Sequence, residues 1–263
     1  MSEIKEGAIT REIQDHVYLM GIHRASKMNA FTWDMLSDLS RAFSEYEANE
    51  NLRCAVLYAA GDNFTSGLDL ADVAPHVSGG ERYFAEDGID PWGIHGRTLS
   101  KPLVLAVQGL CYTLGTELSL AADIVVAADN TTFAQLEVKR GIFAFGGATI
   151  RFPRTAGWGN AMRYLLTGDE FGAEDALRFG LVQEITEPGQ QLDKALQIAN
   201  RIAAQAPLAV RATLALARSA ANEGFHSGIR DIAPELLKIM KSEDVAEGVA
   251  SFIERRPANF KGK

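Results

Sequence analysis

Two glutamates stand where a carboxyl could do acid–base work. Glu117 lies in residues 110–122, LCYTLGTELSLAA, a stretch with no other charge until its end. Ionising a carboxyl in such surroundings costs several kcal/mol unless it is paired, hydrated or protonated. Glu137 follows Phe133-Ala134-Gln135-Leu136 and precedes Val138-Lys139-Arg140. Taken singly, each has an ordinary reading. Glu117 suits the first turn of a helix, where the dipole favours an acid. Glu137, beside two cations, suits a solvated face. Taken together, they could act as general base and general acid. Two loops add a second kind of group. Residues 63–70, NFTSGLDL, and 113–117, TLGTE, each lead toward an expected helix start. Helix N-termini present free N–H donors and a positive dipole end. Two of them aimed at one point would form an oxyanion hole.

These groups need a scaffold. Residues 8–13 and 16–22 alternate as strands, with Gln14-Asp15 as the tight turn between them. Thr32 caps an expected helix to Asn49, whose apolar face is Met35, Leu36, Leu39, Ala42, Phe43 and Tyr46. Residues 53–59, 103–107 and 123–127 read as buried strands, and 115–121 as a helix. Strand–helix–strand alternation predicts a largely parallel sheet, an α/β class. Residues 78–93 carry Ser78-Gly79-Gly80, Gly88 and Asp90-Pro91 with little periodicity, which predicts a mobile loop or lid. From residue 190 onward the pattern is helical, over 190–205, 207–222, 229–241 and 243–254. The organisation expected is an α/β core over residues 1–198 carrying the site. Residues 199–263 form a helical region apolar enough to need a partner surface.

Much chemistry is missing by pattern. There is no H-E-x-x-H, G-x-S-x-G or G-x-x-x-x-G-K-[ST]. The five histidines show no metal spacing, so no metal is expected. Gly157-Trp158-Gly159 lacks the third glycine and the preceding strand of a dinucleotide site. Cys54 and Cys111 make no disulfide framework, and Cys111 reads as a small packed residue. The 263-residue chain has 26 Lys+Arg against 34 Asp+Glu and a net charge of −8, so nucleic acid is not an expected partner. The opening Met-Ser-Glu-Ile-Lys-Glu-Gly has no basic-then-apolar pattern, and no apolar run approaches a membrane span. A cytoplasmic protein is the expectation, and the sequons at Asn63 and Asn130 read as chance matches.

The order of the pieces carries a resemblance. His23-Arg24-Ala25-Ser26-Lys27-Met28-Asn29-Ala30 is similar to the Arg-Pro-x-x-x-Asn-Ala segment of the crotonase (enoyl-CoA hydratase/isomerase) superfamily. Phe64-Thr65-Ser66-Gly67-Leu68-Asp69-Leu70 resembles its oxyanion loop. Lys101-Pro102, Gly109, Gly115-Thr116-Glu117-Leu118 and Asp123-Ile124 resemble its central stretch. Gln135-Leu136-Glu137 and the terminal Glu254-Arg255-Arg256-Pro257-Ala258-Asn259-Phe260 complete the series. The resemblance covers nearly the whole chain. It implies a crotonase-like spiral of ββα units with a C-terminal helical region that builds trimers, often paired into hexamers. It also implies an acyl-CoA thioester substrate, with coenzyme A part of that substrate and no separate cofactor. Carried over by position, Leu68 and Leu114 supply the oxyanion N–H groups, and Glu117 and Glu137 match the acid/base carboxylates. Ser26, Lys27, Met28, Ser66, Asp69 and Leu70 match the stretches that hold coenzyme A.

Departures bear on the acyl group. Leu114 replaces a family glycine; Ala144 and Phe145 replace a Pro and a Gly after Glu137. With Tyr112 and Phe143, Phe145 either narrows the acyl pocket with aromatics or simply packs the core. The favoured function is hydration of a 2-enoyl-CoA. Alternatives are Δ3–Δ2 enoyl-CoA isomerisation on Glu137 alone, another crotonase-type reaction, and a non-catalytic acyl-CoA binder.

Overall fold

The computed structural model describes residues 5–263. Residues 1–4, part of the stretch read for a leader, lie outside the described residues. A six-stranded sheet runs in the order β1-β2-β3-β4-β6-β9, comprising Ala8–Gln14, Val17–His23, Cys54–Ala59, Leu103–Val107, Ile124–Ala128 and Glu184–Thr186. Only β1 is antiparallel to its neighbour. A smaller sheet joins β5 (Leu110–Tyr112), β7 (Thr132–Ala134) and β8 (Glu170–Gly172). The architecture is α/β, as expected.

The spiral is visible in how the two sheets are fed. Strands β2, β3, β4 and β6 lie side by side in the large sheet. After each, the chain makes a second, short pairing before entering a helix. Phe31 bridges Leu68, Thr65 bridges Cys111, and β5 pairs with β7, all in parallel. The helices that follow are α1 (Trp33–Ala48), α2 (Leu70–Ser78), α3 (Leu114–Ala121) and α4 (Ala148–Ala156). From the first three pairings the chain enters α1, α2 and α3 almost at once, whereas β7 leads into the 3-10 turn Glu137–Arg140 and α4 starts only at Ala148.

Local chemistry explains the elements. The Thr32 side chain accepts from the Met35 amide at 3.2 Å and starts α1, whose buried face contains the six predicted apolar residues. No basic residue occupies the last turn of α1. Lys101, buried, supplies the missing cation from β4's approach. Its Nζ donates to the carbonyls of Tyr46, of Asn49 at 2.9 Å and of Leu52 at 3.2 Å. Asn29, fully buried at φ 52°, donates to the carbonyls of Ala60 and Asn63 and accepts from the Arg24 amide. The Asn-Ala motif thus pins the loop after β2 to the loop after β3.

Three expectations are corrected. The first turn is Asp15-His16 rather than Gln14-Asp15, because Gln14 pairs with Val17 and Asp15 takes the positive φ. Residues 78–93 are not one mobile lid. The helix α2 extends to Ser78, and Ile89, Asp90 and Trp92 are buried. Ser40 Oγ donates to the Ile89 carbonyl at 2.6 Å, and the Ile89 amide donates to Ser44 Oγ at 3.0 Å. The third is the helix read at 229–241, which is α9, Phe225–Ile239, starting directly after Gly224.

After α5 (Trp158–Thr167) and α6 (Ala173–Phe179), α7 (Gln191–Ala203) packs Ala195, Ile198, Ala199 and Ala203 on the outer face of the large sheet. The division at 198/199 falls inside this continuous helix. The chain departs from the sheet at α8 (Pro207–Glu223), followed by α9 and α10 (Glu243–Glu254). Arg218 of α8 pairs with Asp123 at 2.7 Å, and Asp123 also accepts from the Leu103 amide. The C-terminal Phe260 carbonyl accepts from Arg53 at 2.7 Å, so the terminal segment returns to the core. Among the described residues, no helix is long and apolar enough to cross a membrane.

Candidate active site

The loops read as anion-binding do meet. An added Cβ on Gly67, at φ 107°, would come within 2.1 Å of Thr113 Oγ1, so only glycine permits this approach. The Phe31 amide donates to the Gly67 carbonyl at 2.8 Å, and the Asp69 amide donates to the Phe31 carbonyl at 2.9 Å. In this parallel bridge the intervening Leu68 N–H faces away from Phe31. Leu114 is the first residue of α3, where amides have no intrahelical acceptor. The preceding Thr113 holds φ 49° and ψ −108°, a sparsely populated conformation for a β-branched residue. Its buried Oγ1 has no hydrogen-bond partner among the described residues. The strain turns the chain abruptly from β5 into α3. Leu114 retains its place there without needing a positive φ itself.

Glu117 is in the first turn of α3 yet only 2% exposed. Of its two sequence readings, the solvated one is excluded by this burial. The Ala148 amide, at the start of α4, donates to Glu117 Oε1 at 3.1 Å. Burial pushes the carboxyl up to about 8, with the charge of Glu137 adding to the rise; the Ala148 and Gly146 amides and Arg151 oppose it. Glu137 is 8% exposed at the start of a short 3-10 turn, Glu137–Arg140. Burial raises it to about 7. Lys139 and Arg140 do not neutralise it, since neither makes an ion pair with it among the described residues. Buried Gln135 is its polar neighbour instead. With its amide nitrogen facing Glu137, it donates to the two carboxylate oxygens at 2.9 and 3.0 Å. Like charges in a low-dielectric setting resist ionising together, which is why the Glu137 charge adds to the rise at Glu117.

A cavity of about 290 Å³ opens beside Leu68 and Leu114. Its wall includes Gly146, where an added Cβ would come within 2.3 Å of Glu117 Oε2. Glu117 packs against this glycine, and neither Glu117 nor Glu137 is among the residues lining the cavity. Phe145 also lines the cavity and is 41% exposed, whereas Phe143 is 65% exposed. The alternative that these aromatics pack the core is not what the chain does. Cys111 is packed as expected, its thiol pushed up to about 12 by burial.

Several residues here escaped the sequence reading. Buried Asp90 accepts from Tyr83 Oη at 2.6 Å and from the amides of Trp92, Ile94 and His95. Arg151 of α4 donates to the carbonyls of Trp92 and Gly93 at 2.7 and 3.1 Å. Trp92 Nε1 donates to the Leu114 carbonyl at 3.1 Å. An Asp-Pro-Trp-Gly run in a glycine-rich stretch reads as a turn, and nothing local says that it is the cavity's frame.

The residues matched to coenzyme A form one neighbourhood. Ser26, Lys27 and Met28 lie on and after the exposed 3-10 turn Ala25–Lys27, and the Ser66 amide donates to the Met28 carbonyl at 2.9 Å. Met28 and Leu70 are exposed. Asp69 instead pairs with Arg24 at 2.9 Å, a fixed tie between the two loops. Among the described residues, no cluster of three or more potential metal ligands occurs.

Comparison with known proteins identifies the family. The family model for enoyl-CoA hydratase/isomerase matches residues 12–263. A crystal structure described as a probable enoyl-CoA hydratase/isomerase from Mycobacterium abscessus superposes with a TM-score of 0.96 at 50% identity, covering 98% of this chain and 100% of that one. An enoyl-CoA hydratase of Mycobacterium tuberculosis is 30% identical over 96% of each chain. An (E)-benzylidenesuccinyl-CoA hydratase of Thauera aromatica is 33% identical, covering 97% of this chain and 99% of that one. With the fold and the family match both extending over nearly its whole length, the chain belongs to the enoyl-CoA hydratase/isomerase family.

Proposed function

We propose that the protein adds water across the double bond of a 2-enoyl-CoA thioester. The observation that carries this reading is the pair Glu117 and Glu137, both buried and both held above the ordinary carboxyl range. Near neutral pH one of them can hold a proton while the other is ionised. The ionised carboxylate orients water and takes its proton as the oxygen bonds to the β-carbon. The thioester carbonyl then becomes an enolate, whose oxygen accepts from the Leu68 and Leu114 N–H groups. The other carboxyl delivers the proton to the α-carbon. Loss of one oxyanion donor typically costs about 2.7–4 kcal/mol in the transition state. Coenzyme A enters as part of the substrate, and the reading needs no further cofactor. Its nucleotide and pantetheine lie along Ser26, Lys27, Met28, Ser66 and Leu70, with Asp69 fixing that loop through Arg24.

The exposed apolar side chains of α9 and α10, among them Phe225, Leu237, Phe252 and Ile253, support a trimer or a hexamer built on this region. Sedimentation as a monomer would remove that part of the reading. The chemistry is tested by mass spectrometry of short, medium and aromatic 2-enoyl-CoA thioesters incubated with the parent protein and with Glu137→Gln. A gain of one water that disappears in the variant is expected. No gain, together with a moved double bond in a 3-enoyl-CoA that survives Glu117→Gln but not Glu137→Gln, would replace hydration by isomerisation. Binding of acyl-CoA without either reaction would leave a non-catalytic binder.

A further inference from the structure

The cavity beside Leu68 and Leu114 mixes aliphatic side chains, among them Leu36, Val73 and Ile94, with a cluster of aromatic rings. Trp33, Tyr83, Phe84, Trp92 and Phe145 all line it. Four of these rings, those of Trp33, Tyr83, Phe84 and Trp92, stand edge to face. Trp33 and Tyr83 cross at 89° with centroids 6.2 Å apart, Tyr83 and Trp92 at 89° and 5.6 Å, and Tyr83 and Phe84 at 73° and 4.9 Å. Three of the rings are also held from behind. Tyr83 Oη is tied to Asp90, Trp92 Nε1 to the Leu114 carbonyl, and the Trp92 ring rests on Phe31 at 6.2 Å. Trp33 stacks on His76 at 4.5 Å, and His76 is held by Glu81 at 2.9 Å.

Resting on the hydratase reading, we infer that the substrate carries an aryl group conjugated to the enoyl thioester, a 3-aryl-2-propenoyl-CoA. The cavity volume of about 290 Å³ supports this size. A void of about 150 Å³ already takes a benzene ring. The remaining space suits the short enoyl unit that joins the ring to Leu68 and Leu114. Shape supports it as well. A planar guest meets edge-to-face partners on several sides without moving any of them, and it has few rotors to freeze. A long alkyl chain would have to order many rotors against walls that do not repack. The tie from Trp92 to the residue bearing one oxyanion donor means that ring position and carbonyl position are set by one rigid unit.

The test compares kcat/KM for 3-phenyl-2-propenoyl-CoA, 2-butenoyl-CoA and 2-hexadecenoyl-CoA. The aryl thioester is expected to exceed the hexadecenoyl thioester by about tenfold or more. Phe145→Leu and Trp33→Leu, both at partly exposed positions, are expected to lower the aryl-to-hexadecenoyl ratio about tenfold. An equal or higher value for the hexadecenoyl thioester, or a ratio unmoved in both variants, overturns the inference. If no enoyl thioester is turned over, the hydratase reading fails on its own. Calorimetric binding of 3-phenylpropanoyl-CoA against hexadecanoyl-CoA then decides the aryl preference independently. Tighter binding of the aryl ligand upholds it, and tighter binding of the alkyl ligand overturns it.

Discussion

Gly146→Ala isolates the position of the Glu117 carboxyl. Gly146 does not hold a left-handed φ, so alanine meets no backbone obstacle there. Its Cβ would lie 2.3 Å from Glu117 Oε2, 2.8 Å from Cδ and 3.2 Å from Trp92 Cδ1. Ordinary contact begins at 3.4 Å, so the carboxyl must retreat by about 1 Å. It has little room to do so. The side chain is buried, and α3 is seated closely where an added Cβ on Gly115 would come within 2.7 Å of Thr65 Cγ2. A displacement of about 1 Å at a reacting group costs about 100-fold in rate. The expected loss is in kcat for 2-butenoyl-CoA hydration, with KM little changed, because the methyl group presses on the carboxyl. Overpacking costs about 1–3 kcal/mol of stability, which thermal unfolding would show as a folded, modestly weakened protein. In a Glu117→Gln background the same substitution should add little, since the group it displaces is already disabled. A folded Gly146→Ala protein with kcat within about threefold of the parent would refute the reasoning that Glu117 acts from this place.

Other expectations follow from the same geometry. Glu117 and Glu137 are raised to about 8 and about 7 from 4.5, so the folded state holds protons that the unfolded chain has lost. Their contribution to stability is full below pH 4.5 and is lost as pH rises toward 8. Urea titrations should show that slope, and the double variant Glu117→Gln/Glu137→Gln should flatten it. Arg151 lowers the proton affinity of Glu117 and clamps the Trp92 and Gly93 carbonyls. Arg151→Met should shift the Glu117-dependent limb of the pH–rate profile upward; an unshifted limb would limit Arg151 to a structural tie. Lys101→Met removes the buried donor from the carbonyls of Tyr46, Asn49 and Leu52, of which Asn49 still accepts from the Leu52 amide, and should cost about 1–3 kcal/mol by urea unfolding.

The elements that could be read along the chain are those with a long local period. Helix α1 declared itself through Thr32 and its apolar face, and α7, α8 and α10 through their length and the Pro207 and Gly224 boundaries. The short strands β5, β7 and β8 have three residues each, too few for any periodicity to register. Residues 78–93 differ from their expected mobility for a related reason. Glycine and proline mark irregular backbone, but whether such backbone is mobile depends on what it touches. Here Ser40, Ser44 and Arg151 hold it from two distant helices.

Residue type and order alone determined the α/β class, the candidate carboxyls Glu117 and Glu137, the two donor loops and the family resemblance. Each rests on identities that do not change with conformation. Only the tertiary structure decided that Glu117 is buried rather than capping a wet helix, and that Gln135 rather than Lys139 or Arg140 faces Glu137. It alone framed the cavity beside Leu68 and Leu114 with Trp33, Tyr83 and Trp92. The reason is that proton affinity and shape are set by surroundings. Desolvation, a neighbouring charge and the reach of an indole N–H depend on distances between segments tens of residues apart, and no local pattern encodes those distances.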